Sequence, residues 1–133
     1  MTTAQHPPDG MAERYERARA QFEHGEYQAA AQAFALLVDE SALEPPLHGT
    51  TELRLMLARA YYHSAQLERS ETVVRAILVD DPDEPYANLL LGRTLQRRGR
   101  RAEATRYLAM AELLGGYAGT GRLRGGEASE GGS

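Results

Sequence analysis

Residues 51–84 read TELRLMLARAYYHSAQLERSETVVRAILVDDPDE, and residues 85–118 read PYANLLLGRTLQRRGRRAEATRYLAMAELLGGYA. Set one above the other at an offset of 34, Leu57 falls on Leu91, Ala58 on Gly92, Tyr61 on Leu95 and Ala65 on Gly99. Further along, Ser70 falls on Ala104, Val74 on Leu108 and Ile77 on Ala111, so large side chains meet large ones and small meet small. Within each copy the apolar residues recur at helical spacing rather than alternating, as in Leu57, Ala58, Tyr61 and Val74, Ile77, Leu78. A fixed period of this length is the mark of helical pairs that bury their apolar faces on one another. Helices and no strands are predicted.

Working outward, an earlier copy reads Gly25, Glu26, Tyr27, Ala30, Phe34 and Leu37, and its turn residue lies 40 positions before Ala65. The six additional residues fall within 41–50, where Pro45, Pro46 and Gly49 interrupt any continuous helix. Length and pattern together resemble the tetratricopeptide repeat (TPR), in which a small residue lets paired helices touch, a glycine-like residue closes the turn and an Asp-Pro pair ends the unit. Here those roles fall on Ala58 and Gly92, on Gly99, and on Asp81-Pro82, and the resemblance runs from Met11 to Leu114. It implies an all-α fold of three tandem antiparallel helix pairs forming a short right-handed TPR superhelix, an α-solenoid. Helices are expected at about 10–24, 27–41, 50–64, 67–80, 84–98 and 101–114. The domain layout is then a disordered lead over 1–9, with Asp9 available to cap the first helix, and repeats over about 10–41, 50–82 and 83–114. A disordered Gly-rich tail follows over 115–133.

The chain departs from the family pattern in places. Arg17 and Gln21 occupy positions expected to face the core of the first helix, where Tyr15, Ala18 and Phe22 form the apolar stripe instead. Ala65 replaces a turn glycine, and Arg101 stands where Tyr27 and Leu67 stand in the other copies. No further amphipathic helix shields the last repeat, so Tyr107, Met110, Leu113 and Leu114 are expected to form an apolar edge. Either Tyr117 and Leu123 of the tail, or another copy of the chain, is expected to cover it.

Composition narrows the function. The chain has no cysteine, which removes disulfides, thiolate metal sites and cysteine nucleophiles together. No stretch reads as a signal peptide or membrane span, and a cytoplasmic location with no membrane partner is expected. All its basic residues are arginine, a bias that fits a GC-rich bacterial source, and the net charge of −4 argues against a nucleic-acid partner. His24 and His63 have no partner at metal-ligand spacing, and Asp80, Asp81, Asp83 and Glu84 lack the glycine and alternation of a calcium loop. Arg97, Arg98, Arg100 and Arg101 around Gly99 read as a charged helix-helix turn. No acid-base or nucleophile set converges, so neither an enzyme nor a cofactor is expected.

The resemblance implies a protein or peptide partner on the surface lined by the first helix of each pair. The residues placed there are Tyr15, Arg19 and Phe22, then Leu55, Arg59 and Tyr62, then Leu89, Arg93 and Gln96, with Tyr86 one turn before the last set. One arginine recurs at the middle of each set, beside aromatic or leucine neighbours. The expected ligand is an acidic or amphipathic protein segment, with the arginines otherwise solvated or paired to acids of the chain itself. In chaperone-binding members five positions grip a terminal carboxylate. Here they are Tyr15, Arg19, Met56, Tyr86 and Leu90, of which Arg19 keeps a charge, so that ligand is not implied. The alternative function is self-assembly. Residues 1–50 carry eight acids and three arginines, and residues 83–114 carry four acids and six arginines, so opposite ends of copies attract.

Overall fold

The computed structural model describes residues 10–42 and 50–116. Among these it contains six α-helices and no strand: α1 Met11–Glu23, α2 Tyr27–Ser41, α3 Thr50–His63, α4 Leu67–Asp80, α5 Pro85–Arg97 and α6 Arg101–Gly115. Each bound lies within one residue of the one expected from periodicity. Asp9, the Pro45-Pro46-Gly49 segment and the tail residues Tyr117 and Leu123 lie outside the described residues.

Local chemistry starts and stops these helices. Glu13 Oε1 accepts from the Gly10 N–H at 3.2 Å, which satisfies one of the orphan donors ahead of α1. At α5, Glu84 Oε2 accepts from the Tyr86 N–H at 2.7 Å and Pro85 occupies the first turn, where its missing N–H costs nothing. The buried Asn88 holds the preceding loop by donating to the Pro82 and Glu84 carbonyls at 3.1 and 2.9 Å.

The same turn ends α1, α3 and α5. Gly25, Ala65 and Gly99 have φ of 82°, 63° and 80°. The N–H of each reaches back three residues, and the next N–H reaches back five: Glu26 to Gln21 at 2.8 Å, Gln66 to Tyr61 at 2.8 Å and Arg100 to Leu95 at 2.9 Å. This crossed pair of bonds satisfies the last carbonyls of one helix and aims the chain straight into the next.

The chain divides into two compact units, Met1–Gln66 and Leu67–Ser133. In the first, α2 packs against both α1 and α3, and in the second α5 packs against both α4 and α6. Small residues bring the helices together. Ala18 of α1 and Ala58 of α3 are fully buried in the first unit. That Ala18, with the half-buried Tyr15 and Phe22 beside it, faces inward while Arg17 is exposed establishes the register of α1. In the second unit Gly92 lies against Leu108, and a Cβ at Gly92 would sit 2.5 Å from Leu108 Cδ2 and 3.3 Å from its backbone nitrogen. Phe34 and Leu37 complete one core, and Val74, Ile77, Leu91 and Leu95 the other.

Candidate protein-binding site

In the first unit the structure pairs the arginines with aromatic rings. Arg19 lies 6.0 Å from the Tyr15 ring, and it also meets Glu23 at 3.5 Å and Glu16 at 3.9 Å on its own helix. Arg59 sits 4.8 Å from the Phe22 ring, and its Nη1 approaches Met56 Sδ at 3.4 Å. Phe22 meets Tyr27 and His63 edge-on at 5.1 and 5.5 Å, while His63 stacks on Tyr27 at 4.8 Å and takes Tyr62 edge-on at 5.4 Å. Tyr15 packs edge-on against the buried Phe34 at 5.7 Å, and its phenol is pushed above its usual range by burial and by the charge of Glu52. Leu55 is half-buried. These contacts join Tyr15 with Arg19, and Phe22 with Arg59 and Tyr62. His63, to which metal-ligand spacing in the sequence assigned no role, is exposed yet stacked into this aromatic group, a contact that needs α1, α2 and α3 in place.

In the second unit the predicted residues share α5. Tyr86, Arg93 and Gln96 are half-buried and Leu89 is buried. Arg93 differs from Arg19 in its surroundings: among the described residues it makes no hydrogen bond or ion pair, and its Nε is buried. The Met56 and Leu90 positions, where chaperone-binding relatives of the resemblance would carry polar groups, are buried apolar contacts.

One charged cluster was not foreseen. Glu71 of α4 is buried, and its carboxylate accepts from Arg98 at 2.7 Å, Arg100 at 2.9 Å and Arg75 at 2.8 Å. Arg75 also meets Glu103 at 2.7 Å and donates to the Tyr107 hydroxyl at 3.3 Å, which accepts from Arg106 at 2.6 Å as well. Arg100 closes the circuit on Glu103 at 2.8 Å. Burial raises the Glu71 pKa, but the hydrogen bond from Arg75 and the charges of Arg100, Arg75 and Arg98 outweigh it and hold the carboxyl below its usual range. The available sequence signal was that Glu71 aligns with Ala31, a buried apolar residue in the first copy.

No protein-family model and no curated protein matches the sequence. Among solved structures, the chain is similar to the Yersinia enterocolitica type III secretion translocator chaperone SycD, with a TM-score of 0.68 at 23% identity over 84% of this chain and 80% of that one. It is similar to SycD in complex with a peptide of the translocator YopD at a TM-score of 0.68 and 23% identity, over 81% and 78% of the two chains. The TPR-like repeats of a Podospora anserina protein of the kinesin light chain type match at a TM-score of 0.67 and 20% identity, over 80% of this chain and 56% of that one. The fold is a TPR-like helical repeat. The three antiparallel pairs expected from the 34-residue period are the architecture of such repeats, and here their helices are present with repeated turns between α1 and α2, α3 and α4, and α5 and α6. No helix among the described residues is long and apolar enough to cross a membrane.

Proposed function

We propose that this chain is a non-enzymatic cytoplasmic adaptor, its repeats spanning about residues 10–114, that holds an acidic or amphipathic segment of another protein on its first-helix faces. The observation that carries this reading is Arg93. A half-buried guanidinium with an enclosed Nε and no acceptor among the described residues retains part of its desolvation cost, and a carboxylate from a partner would offset that cost. The half-buried Tyr86 on the same helix supplies apolar contact, and Gln96 supplies amide donors and an acceptor for a ligand backbone, while Leu89 is buried beneath them. Because Nε is covered, the two Nη groups are the ones left to meet a carboxylate side by side. The SycD structure in complex with a peptide supports a peptide-holding use for a fold of this kind. Arg59 against Phe22, and Arg19 beside Tyr15, offer charge over an aromatic floor to the same class of ligand.

The test is photocrosslinking from a benzophenone side chain at Gln96 in the native host, followed by purification of the captured protein. With that partner in hand, Arg93→Glu is expected to weaken binding by roughly tenfold to a hundredfold, the loss of one charge-assisted contact. Arg17→Glu, on an exposed position of α1, should leave the affinity within about twofold. Equal affinity for Arg93→Glu and the unmodified chain removes α5 as the binding face.

A further inference from the structure

The Glu71 cluster carries more positive charge than it neutralises. Five arginines, Arg75, Arg98, Arg100, Arg101 and Arg106, lie in or beside the α5–α6 turn and its contacts, against the two acids Glu71 and Glu103. Glu71 and Glu103 draw Arg75, Arg98 and Arg100 into one rigid group, so an incoming anion meets guanidinium groups already ordered. Arg101 is exposed and has no ion pair among the described residues, and Arg106 reaches the Tyr107 hydroxyl but no acid. The Tyr107 oxygen already accepts two guanidinium N–H groups, which leaves its own proton to donate outward.

At the opposite end of α5 stands the reverse pattern. Asp80, Asp81, Asp83 and Glu84 place four acids within five residues, Pro82 restricts the backbone between them, and Asp81 and Asp83 are exposed with no ion pair among the described residues. Part of this polarity serves α5 itself, since Glu84 caps its start and Arg97 lies in its last turn. The remainder works against neighbouring helices. Asp80 and Asp81 fall at the C-terminus of α4, and Arg100 and Arg101 at the N-terminus of α6, each opposing the helix dipole it meets.

We infer that the arginine turn of one copy docks the Asp80–Glu84 loop of a second copy, so that chains join end to end. The exposed Asp81 and Asp83 of one copy meet Arg101 and Arg106 of the other, groups that make no ion pair among the described residues. A chain cannot satisfy its own turn this way, because the 13 residues of α5 hold the two ends about 20 Å apart, far beyond ion-pair reach. The two surfaces differ, so the contact is head-to-tail and leaves one free end of each kind on every assembly. This inference uses no residue of the α5 ligand face and stands or falls separately from it.

Sedimentation velocity on the full chain between about 5 and 500 µM is the test. In about 20 mM salt the average mass should climb past that of a dimer with concentration, and in about 500 mM salt the association constant should fall at least tenfold. Arg101→Glu with Arg106→Glu spoils one end without touching Glu71, and Asp81→Arg with Asp83→Arg spoils the other. Each double variant should be monomeric, and an equimolar mixture should stop at a one-to-one dimer because each retains the end the other lacks. Arg93→Gln should assemble like the unmodified chain, which separates this surface from the α5 face. Should a double variant lose helical circular dichroism, Arg101→Gln gives the same reading through a smaller fall in association. A chain that stays monomeric in low salt, end variants that assemble undiminished, or a mixture that fails to pair overturns the inference.

Discussion

Ala65 holds φ at 63° where Gly25 and Gly99 hold 82° and 80°. A left-handed conformation costs an L-residue about 1–2 kcal/mol, while glycine at the same place costs about 0.4–1 kcal/mol through its freer unfolded chain. Strain outweighs entropy, so Ala65→Gly is expected to stabilise by about 0.5–1 kcal/mol and to raise Tm by about 2–4 °C, read by thermal circular dichroism. Gly92 presents the reverse case. Alanine there gains about 1 kcal/mol of helix propensity, but its Cβ falls 2.5 Å from Leu108 Cδ2 and 2.6 Å from Cγ, so the buried Leu108 must shift to admit it. Gly92→Ala should therefore destabilise by about 1–3 kcal/mol, and Gly92→Leu by more. An unchanged Tm for the leucine variant would mean that α5 and α6 do not touch there. Both positions were legible in the sequence, because a repeat compared with itself shows where small residues recur.

Helix α4 carries a charge that the repeat pattern would fill with an apolar residue. Removing a carboxylate from a buried pair costs about 3–5 kcal/mol, but Arg75, Arg98 and Arg100 retain side-chain exposures of 36%, 30% and 40%, so water recovers part of the loss. Glu71→Ala is expected to cost about 1.5–3 kcal/mol by urea denaturation. Acid should reveal the same contacts. The Glu71, Glu103 and Glu40 carboxyls, held by Arg75 with Arg100 and Arg98, by Arg100 with Arg75, and by Arg14, all lie below the ordinary glutamate value of 4.5. Their stabilisation is present above that value and is lost as pH falls through the folded pKa values, because the unfolded chain then binds more protons. Tm should be flat from pH 7 to about 5 and decline below 4.5, with a shallower decline in the Glu71→Ala chain. The network also disqualifies Arg75 as an inert surface control for charge reversal, although its place on a second helix suggests one. Helix α6 differs from α2 and α4 along one face. Where they carry Ala31 and Glu71, Ala35 and Arg75, Val38 and Leu78, α6 carries Thr105, Ala109 and Glu112, all exposed. That substitution leaves this face of α6 exposed and more polar, while the hydrophobic stripe of α6 is unaltered.

The apolar edge expected at the end of the last helix is present at its tip. Tyr107 and Met110 are half-buried, while Leu113 and Leu114 are 79% and 38% exposed. We propose that the second copy docked at the Asp80–Glu84 loop covers them, since the end of α6 lies beside the start of α5. A chain ended at Gly116 is then expected to keep its Tm within about 2 °C and its helical signal unchanged, and a larger fall would assign the cover to the tail. Such an assembly suits a molecule whose net charge of −4 is unevenly spread, its first 50 residues carrying eight acids against three arginines. By itself the sequence determined the six helices, their bounds, the positions of the turns and the absence of cysteine chemistry, because hydrophobic period, turn-residue placement and composition act over neighbouring residues and need no tertiary context. Tertiary structure decided the rest. Whether an arginine is used by the fold or left for a partner depends on which acid or aromatic ring lies across from it: Glu71 takes Arg98 and Arg100 from about thirty residues away, Phe22 of α1 takes Arg59 of α3, and Arg93 is left without an acceptor among the described residues. Those pairings are set by side-chain reach between packed helices, a distance that spacing along the chain does not encode.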